Sequence, residues 1–424
     1  MKSAKATQTF ATGAVILKKV SSRTKSVEIL FTGDFCPRYR AQLAILEGKS
    51  AEMLSEIKDV LDSCDLRVVN LEAPLTNANT PIKKSGPNLK ADPGCVDFLK
   101  KGSFDIALLA NNHIGDHGAK PVTETMEILK KNKIRFCGAG KNLAEARKAL
   151  SIKKNDLRIS ILNYAENEFG GANANKPGAS TLDPLENIKE IREVSYKSDI
   201  TIVTIHGGNE QNPIPSPRMR KTYKAFADAG ATAVVAMHTH CPQGIEIHNG
   251  VPIIYSLGNF QFDWDREIDP FNFWWTGYSV KLKFAAGSVL SLEIIPTTFA
   301  GDGVRLKRFD KKSAGEFFKY IDKLSKITAD DKKSLAFWEA WAAQGGYRGS
   351  MTAWPEDPYS DDATFQRMVT LRNLFTCEAH CELMNTYLRL VEERRVEEAS
   401  RLIPEIQKLQ KADFEITRKI KQGG

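Results

Sequence analysis

The first 300 residues alternate short, β-branched apolar runs with segments of helical period. Near-continuous apolar character over Val27–Thr32, Leu66–Asn70, Asp105–Ala110 and Ile134–Cys137 predicts strands buried on both faces. The same holds for Leu157–Asn163, Ile200–Ile205, Thr232–Met237 and Pro252–Leu257. Between them, apolar positions three and four apart predict helices over Ala51–Leu61, Val122–Lys131, Leu143–Leu150, Leu185–Tyr196 and Lys221–Ala229. This alternation is the pattern of stacked α/β layers. Tyr278–Phe284 and Val289–Ile295, on either side of Ala285-Ala286-Gly287-Ser288, predict a hairpin. After about Phe299 the period is helical throughout: Ser313–Leu324, Lys332–Ala343, Ala363–Leu388 and Val391–Leu409, interrupted by a Gly-, Pro-, Tyr- and Asp-rich loop over Gly345–Asp362. The expected organisation is a tail or first strand over 1–26, an α/β domain over 27–300, and an α-helical C-terminal extension over 301–424.

With 424 residues and 42% hydrophobic content, the chain can bury one large core. Its net charge of +8 suits an anionic small molecule or acidic polymer, but it is too diffuse to argue for nucleic acid. No run approaches the ~18 apolar residues of a membrane helix, so no integral membrane segment is expected. Phe10–Leu17 is short, holds Thr12 and Gly13, and lacks a cleavage site before Lys18-Lys19, which reads as a strand or tail rather than a signal peptide. The seven cysteines are odd in number and form no disulfide framework, which points to a reducing, cytoplasmic setting. Cys377, His380 and Cys381 would share a helix face; with nothing nearby to complete a tetrahedral site, they are expected to pack.

Histidine is scarce, yet six of the seven sit in or beside three short motifs: His113 and His117, His206, then His238, His240 and His248. Only His380 lies elsewhere. The motifs fall at the ends of apolar runs, where open α/β sheets build their sites. Asp34 follows the first strand, Asn70 and Glu72 the second, and Asn112-His113 the third. Neutral imidazole with carboxylate and amide oxygens makes a mixed N/O site for Zn, Mn or Fe. A lone histidine at a strand end is more often a hydrogen-bonded surface or core group; taken with His238-x-His240, His206 reads as a ligand. His117 and His248 read as peripheral.

The order of these motifs resembles that of the calcineurin-like metallophosphatases. More specifically, the chain resembles the CapA-like poly-γ-glutamate (capsule) synthesis family. The matching residues are Gly33-Asp34, Asn70-Leu71-Glu72-x-Pro74-x-Thr76, Ala110-Asn111-Asn112-His113-x-x-Asp116-x-Gly118, His206-Gly207-x-x-Glu210 and His238-x-His240-x-x-Gln243-Gly244-x-Glu246. The segment Pro252–Asp263, with Ser256-Leu257-Gly258-Asn259-Phe260, is the most specific. The resemblance covers about residues 27–300 and implies a metallophosphatase-like β-sandwich of two sheets flanked by helices.

It also implies roles. Asp34, Glu72, Asn112, His206, His238 and His240 would hold divalent metal, expected as two ions, and His113 with Asp116 would serve acid catalysis. Cys36 stands where the metallophosphatase motif carries a histidine; it and Asn70 are further possible ligands. The family's usual Trp, Gly and Pro are replaced by Gly207, Ala236 and Thr239, and its Gln by Arg218 or Arg220. Two basic stretches, with Lys83, Lys84 and Lys90 in one and Arg218 and Arg220 in the other, are expected to receive an anionic substrate. Glu210 and Asn259 are expected at the substrate or bracing the site, and Phe271–Trp275 as a packing cover. The function this implies is metal-dependent hydrolysis of a phosphoester or γ-glutamyl amide linked to poly-γ-glutamate biosynthesis. Alternatives are a non-catalytic assembly or polyanion-binding factor of a polymer synthase, and a cytosolic phosphoesterase unrelated to capsule.

Overall fold

The computed structural model describes residues 9–21, 23–347, 349, 355 and 357–423. Parts of the N-terminal segment, of the 345–362 loop and of the C-terminus, namely residues 1–8, 22, 348, 350–354, 356 and 424, lie outside the described residues.

Two sheets stack face to face. The first has nine strands among the described residues, built on the parallel run Val27–Cys36, Leu66–Leu71, Ile106–Leu108 and Arg135–Cys137. The predicted hairpin, Thr276–Ala285 with Ser288–Thr298, extends it antiparallel on the other side, and Ala14–Ile16 adds an edge strand. The second sheet has six strands in the order Ile245–His248, Val251–Ile254, Ala233–Met237, Ile200–His206, Leu157–Ala165 and Leu150–Lys154. Alternation along each strand assigns the faces. Ile29, Phe31, Val68, Ile106, Ile159, Ile161, Ile200, Ile202 and Val235 meet between the sheets. Leu30, Val69 and Ala107 face the outer helices of the first sheet, while Leu162, Val203, Ile205 and Val234 face those of the second. Burial on both faces explains why these strands read as continuous apolar runs.

Several boundaries depart from the periodicity. The Ala51–Leu61 helix is broken into Ser50–Met53, a 3-10 turn at Ser55–Ile57, and Lys58–Asp62. The helix expected to reach Leu150 stops at Ala146, and Leu150–Lys154 is instead an edge strand. Ala363–Leu388 is two helices, Asp362–Thr376 and Glu378–Glu392, because Cys377 between them takes an extended conformation (φ −76°, ψ 124°). Val391–Leu409 is likewise interrupted, with helices at Val396–Ser400 and Ile403–Leu409.

The C-terminal helices share the core of the sheets. Phe317, Ile321 and Leu324 of helix Lys311–Ala329, with Leu409 and Phe414 further on, belong to the same apolar cluster that fills the space between the sheets. Among the described residues no helix is long and apolar enough to cross a membrane.

Candidate metal centre

The inter-sheet core ends in polar residues at the carboxyl ends of the parallel strands. Asn70 and His206 occupy the inward-facing slots that follow Val68 and Ile202 by the two-residue strand period. Asp34 needs a correction of register to do the same. The pairing of Val27–Cys36 with Leu66–Leu71 shifts between Phe31 and Asp34, so one side of the strand gains a residue. Phe31 faces the inter-sheet core but Phe35 faces the outer cluster, so the bulge has turned Asp34 inward. Gly33 at this bulge has no alternative: a Cβ there would lie 1.9 Å from the carbonyl oxygen of Gly258. That same carbonyl accepts the Asp34 backbone N–H at 3.0 Å.

Six expected ligands converge. Asp34 Oδ1 accepts a hydrogen bond from Asn70 Nδ2 at 2.8 Å, and Asp34 Oδ2 accepts the backbone N–H of His238 at 3.0 Å. His206 Nε2 lies 3.0 Å from Asn112 Oδ1 and 2.9 Å from His238 Nδ1. Glu72 Oε1 lies 3.5 Å from His206 Nε2 and 3.7 Å from His240 Nε2. Two triads, Asp34–Glu72–His206 and Glu72–His238–His240, each bring their ligand atoms within 4.8 Å of one another, and they share Glu72. His238 and His240 both adopt positive φ, 105° and 52°. Such conformations are costly for residues with a Cβ and collect at functional sites.

The residues fit a metal. Both Glu72 side-chain oxygens are fully buried with no hydrogen-bond partner. Burial, aided by Asp34, Glu210 and Glu168, pushes the Glu72 carboxyl well above the usual carboxylate range. Asp34 is also raised by burial, against the opposing pull of His240 and its donors. Burial and the neighbouring His238 and His240 hold His206 well below the usual imidazole range, so it is a neutral donor. Imidazoles around a carboxylate that has no proton donor of its own form an N/O set suited to a divalent ion.

Beside this set, His113 Nδ1 lies 2.6 Å from Asp116 Oδ2, and Lys84 Nζ donates to Asp116 Oδ1 at 2.7 Å. Leu89 N–H also donates to Asp116. Burial and the Lys84 charge hold His113 below the usual imidazole range, outweighing the pull of Asp116. This favours the neutral ring. Nδ1–H donates to Asp116, and Nε2, with its lone pair, stands 4.0 Å from Glu72.

The other expected residues are placed as follows. Cys36 is fully buried in the apolar cluster outside the first sheet, and burial raises its thiol well above the usual range, so it is a packing group rather than a thiolate ligand. Asn70 orients Asp34 and approaches His206 Nδ1 at 3.2 Å. Asn259 Oδ1 lies 2.9 Å from His240 Nδ1, and its amide donates to the Trp274 carbonyl; it sits behind His240 and is not among the residues lining the cavity.

The expected basic receptors do not form one. Lys83 pairs with Asp362, and Lys90 donates to the Ala78 carbonyl away from the cavity. Arg218 is held by Glu166 at 2.6 Å and Glu382 at 3.2 Å, and Arg220 by Asp331 at 2.9 Å. Lys84 lines the cavity, but its charge is engaged by Asp116. Glu210 does reach the cavity, where it is open to solvent with protein on most sides. The histidines nearby hold its carboxyl below the usual range despite burial pushing the other way.

The centre opens into a cavity of about 790 Å³. One side carries His113, His240, Glu168, Phe262, Trp264 and Trp274; the facing side is built by the C-terminal helices through Trp341, Gln344, Tyr347, Asn373, His380 and Leu383. Glu168 on this wall and Glu166 behind it were not singled out from sequence, and His380 was expected only to pack. Glu168 Oε1 lies 3.5 Å from His238 Nε2. Glu166 accepts from Arg218 and from the Ala379 backbone N–H at the start of helix Glu378–Glu392. His380, the isolated histidine, stands on the cavity wall with its ring against Tyr347, centroids 4.7 Å apart. A charged pair in the Glu-x-Glu of Glu166 and Glu168 just past strand Leu157–Ala165 is the signal that was present. Cys377 lies with Glu166 and Glu378 in a third cluster, but Arg218 and Asn167 already engage those carboxylates.

The chain matches the family model described as bacterial capsule synthesis protein PGA_cap over residues 28–264. It is 33% identical over 232 residues to the PGA biosynthesis protein CapA of Bacillus subtilis, covering 53% of this chain and 61% of that protein. It is also 33% identical over 190 residues to the capsule biosynthesis protein CapA of Bacillus anthracis, covering 43% of this chain and 46% of that protein. A probable polyglutamine synthesis accessory protein of Mycobacterium tuberculosis is 25% identical over 281 residues, 62% of this chain and 73% of that protein. The match thus spans about three fifths and about half of the two Bacillus proteins. The family model covers more than half of the chain and takes in every residue of the Asp34–His240 ligand set, so the chain belongs to the bacterial capsule synthesis protein PGA_cap family.

Proposed function

We propose that the chain is a metal-dependent hydrolase that cleaves γ-glutamyl amide bonds in support of poly-glutamate synthesis. The observation that carries this reading is the buried, partnerless Glu72 carboxylate shared by two ligand triads at the floor of an open cavity. Asp34, Glu72, Asn112, His206, His238 and His240 would hold two divalent ions. Ions held there would supply Lewis-acid activation of water and of the scissile group. The protein's own part is orientation and proton transfer. Asp116 and Lys84 fix the neutral His113 ring so that Nε2 faces the centre, ready to take a proton from attacking water and return it to the leaving amine. Asn259 and Asn70 hold His240 and Asp34 in place. Residues 301–424 act with the α/β body as the far wall of the substrate cavity rather than as a separate appendage.

Elemental analysis of the protein purified without added metal tests the reading, together with turnover of a γ-glutamyl anilide and of a generic phosphodiester in Mn. Two metals per chain with release of the anilide is the expected result. Turnover of the phosphodiester alone would redirect the reading to phosphate esters. Lack of metal under both conditions would sink the hydrolase. The word accessory in the mycobacterial relative's name favours a second reading, a docking factor for a polymer synthase. Metal bound without turnover of either compound would favour it.

A further inference from the structure

The cavity wall has a donor and acceptor balance that discriminates between ligands. Glu168 and Glu210 present carboxylates near the ligand set. Both carboxylates accept hydrogen bonds and call for a ligand that donates them. A carboxylate donates none, whereas a primary carboxamide donates two. The cations expected to attract a polyanion are tied elsewhere, and of the two that line the cavity Lys84 is paired with Asp116. The other, Arg266, lies over Trp274 and Trp264, its guanidinium carbon 5.4 and 6.0 Å from their ring centroids, and suits one terminal carbonyl or carboxylate.

Charge at the metal pole leads to the same conclusion. Asp116 and Glu166 are matched by Lys84 and Arg218. Four further carboxylates, Asp34, Glu72, Glu168 and Glu210, stand at this pole without a Lys or Arg paired to them among the described residues. The side chains of the pole therefore supply no positive excess with which to gather a polycarboxylate.

We infer that this cavity selects a neutral, carboxamide-bearing acyl chain over the corresponding polycarboxylate. The inference rests on reading the cavity as the substrate site of the proposed hydrolase, but it concerns recognition and is read without turnover. The test titrates the metal-loaded full chain with a γ-linked glutamate tetramer whose α-carboxylates are free, and with the same tetramer after every α-carboxylate is converted to carboxamide. Fluorescence of Trp264, Trp274 and Trp341 in the wall reports binding. The carboxamide form is expected to bind about tenfold or more tightly, since a carboxylate offers Glu168 and Glu210 no donor and faces like charge. Its affinity is expected to change little with added salt. Glu210→Gln is expected to raise affinity for the free acid. The inference is overturned if the free acid binds as well or better, if neither tetramer binds, or if Glu210→Gln leaves free-acid binding unchanged. A neutral glucan tetramer that binds as well as the carboxamide would also overturn it. A chain that hydrolyses nothing yet prefers the carboxamide removes the hydrolase and leaves this inference standing.

Discussion

The two sides of the cavity are built by opposite means. The candidate metal side is written locally: each expected ligand stands in the last three residues of an apolar strand or within four residues past it, and the strand period, shifted by one bulge before Asp34, sets its direction. The facing wall is written non-locally. Arg218 of helix Pro217–Asp228 reaches Glu382, and Glu166 meets the N–H of Ala379, across more than 160 residues of chain. The difference teaches that ligand sets at strand ends survive translation into structure almost residue by residue. A surface charge has no fixed meaning until its partner is known.

The largest expected effect is on the metal side. Glu72→Gln should remove bound metal by elemental analysis and lower any hydrolytic rate by more than about a hundredfold, since even groups around a ligand matter at that level. After chelation, the same variant should melt no lower than chelated wild type, because it replaces a buried carboxylate that has no partner. A variant that kept its metal would erase the contrast between the two sides.

Legibility followed the same division. Asp34, Glu72, Asn112, His206, His238 and His240 could be read as a group because strand ends and short motifs are local signals, and the structure brings them together. The bulge that turns Asp34 inward was not readable, since Gly33 is needed only because Gly258 lies against it. The substrate residues Lys84, Lys90, Arg218 and Arg220 were read as a basic receptor because Asp116, Ala78, Glu382 and Asp331 could not be placed beside them from sequence. His380 was set aside for the same reason: nothing in a helical period says which cavity the helix will face. The two-sheet α/β architecture was legible, whereas Cys377, a residue of no helix-breaking type, hid the division between two helices.

Arg218→Ala should come next in size. It leaves Glu166 and Glu382 buried without their cation, a loss of about 3 kcal/mol or more in urea unfolding. Hydrogen exchange in helix Glu378–Glu392 should quicken, while metal content should hold if the two sides are independent.

Smaller again is Trp341→Ala, which trims the helical wall without touching a ligand. An increase of about threefold to tenfold in KM for the substrate, with kcat and metal unchanged, would mark a wall that binds uniformly. A fall in kcat would instead tie the wall to the chemistry. Lys90→Ala should do least: less than about 0.5 kcal/mol in stability and no change in ligand affinity, as for a surface group outside the cavity. A large loss of affinity would restore the basic receptor that the cavity lacks.

The bond from the His238 backbone to Asp34 joins residues 204 positions apart. A chain made from its amino end therefore carries Asp34, Glu72 and Asn112 out of the ribosome long before any of the three histidines that complete the set. Until His240 follows, those oxygen groups can offer only weak, open coordination. In the proposed metal-dependent enzyme the ligand set would thus be complete only on the nearly finished chain, and the ion taken up would reflect the compartment in which folding ends rather than the one in which synthesis begins.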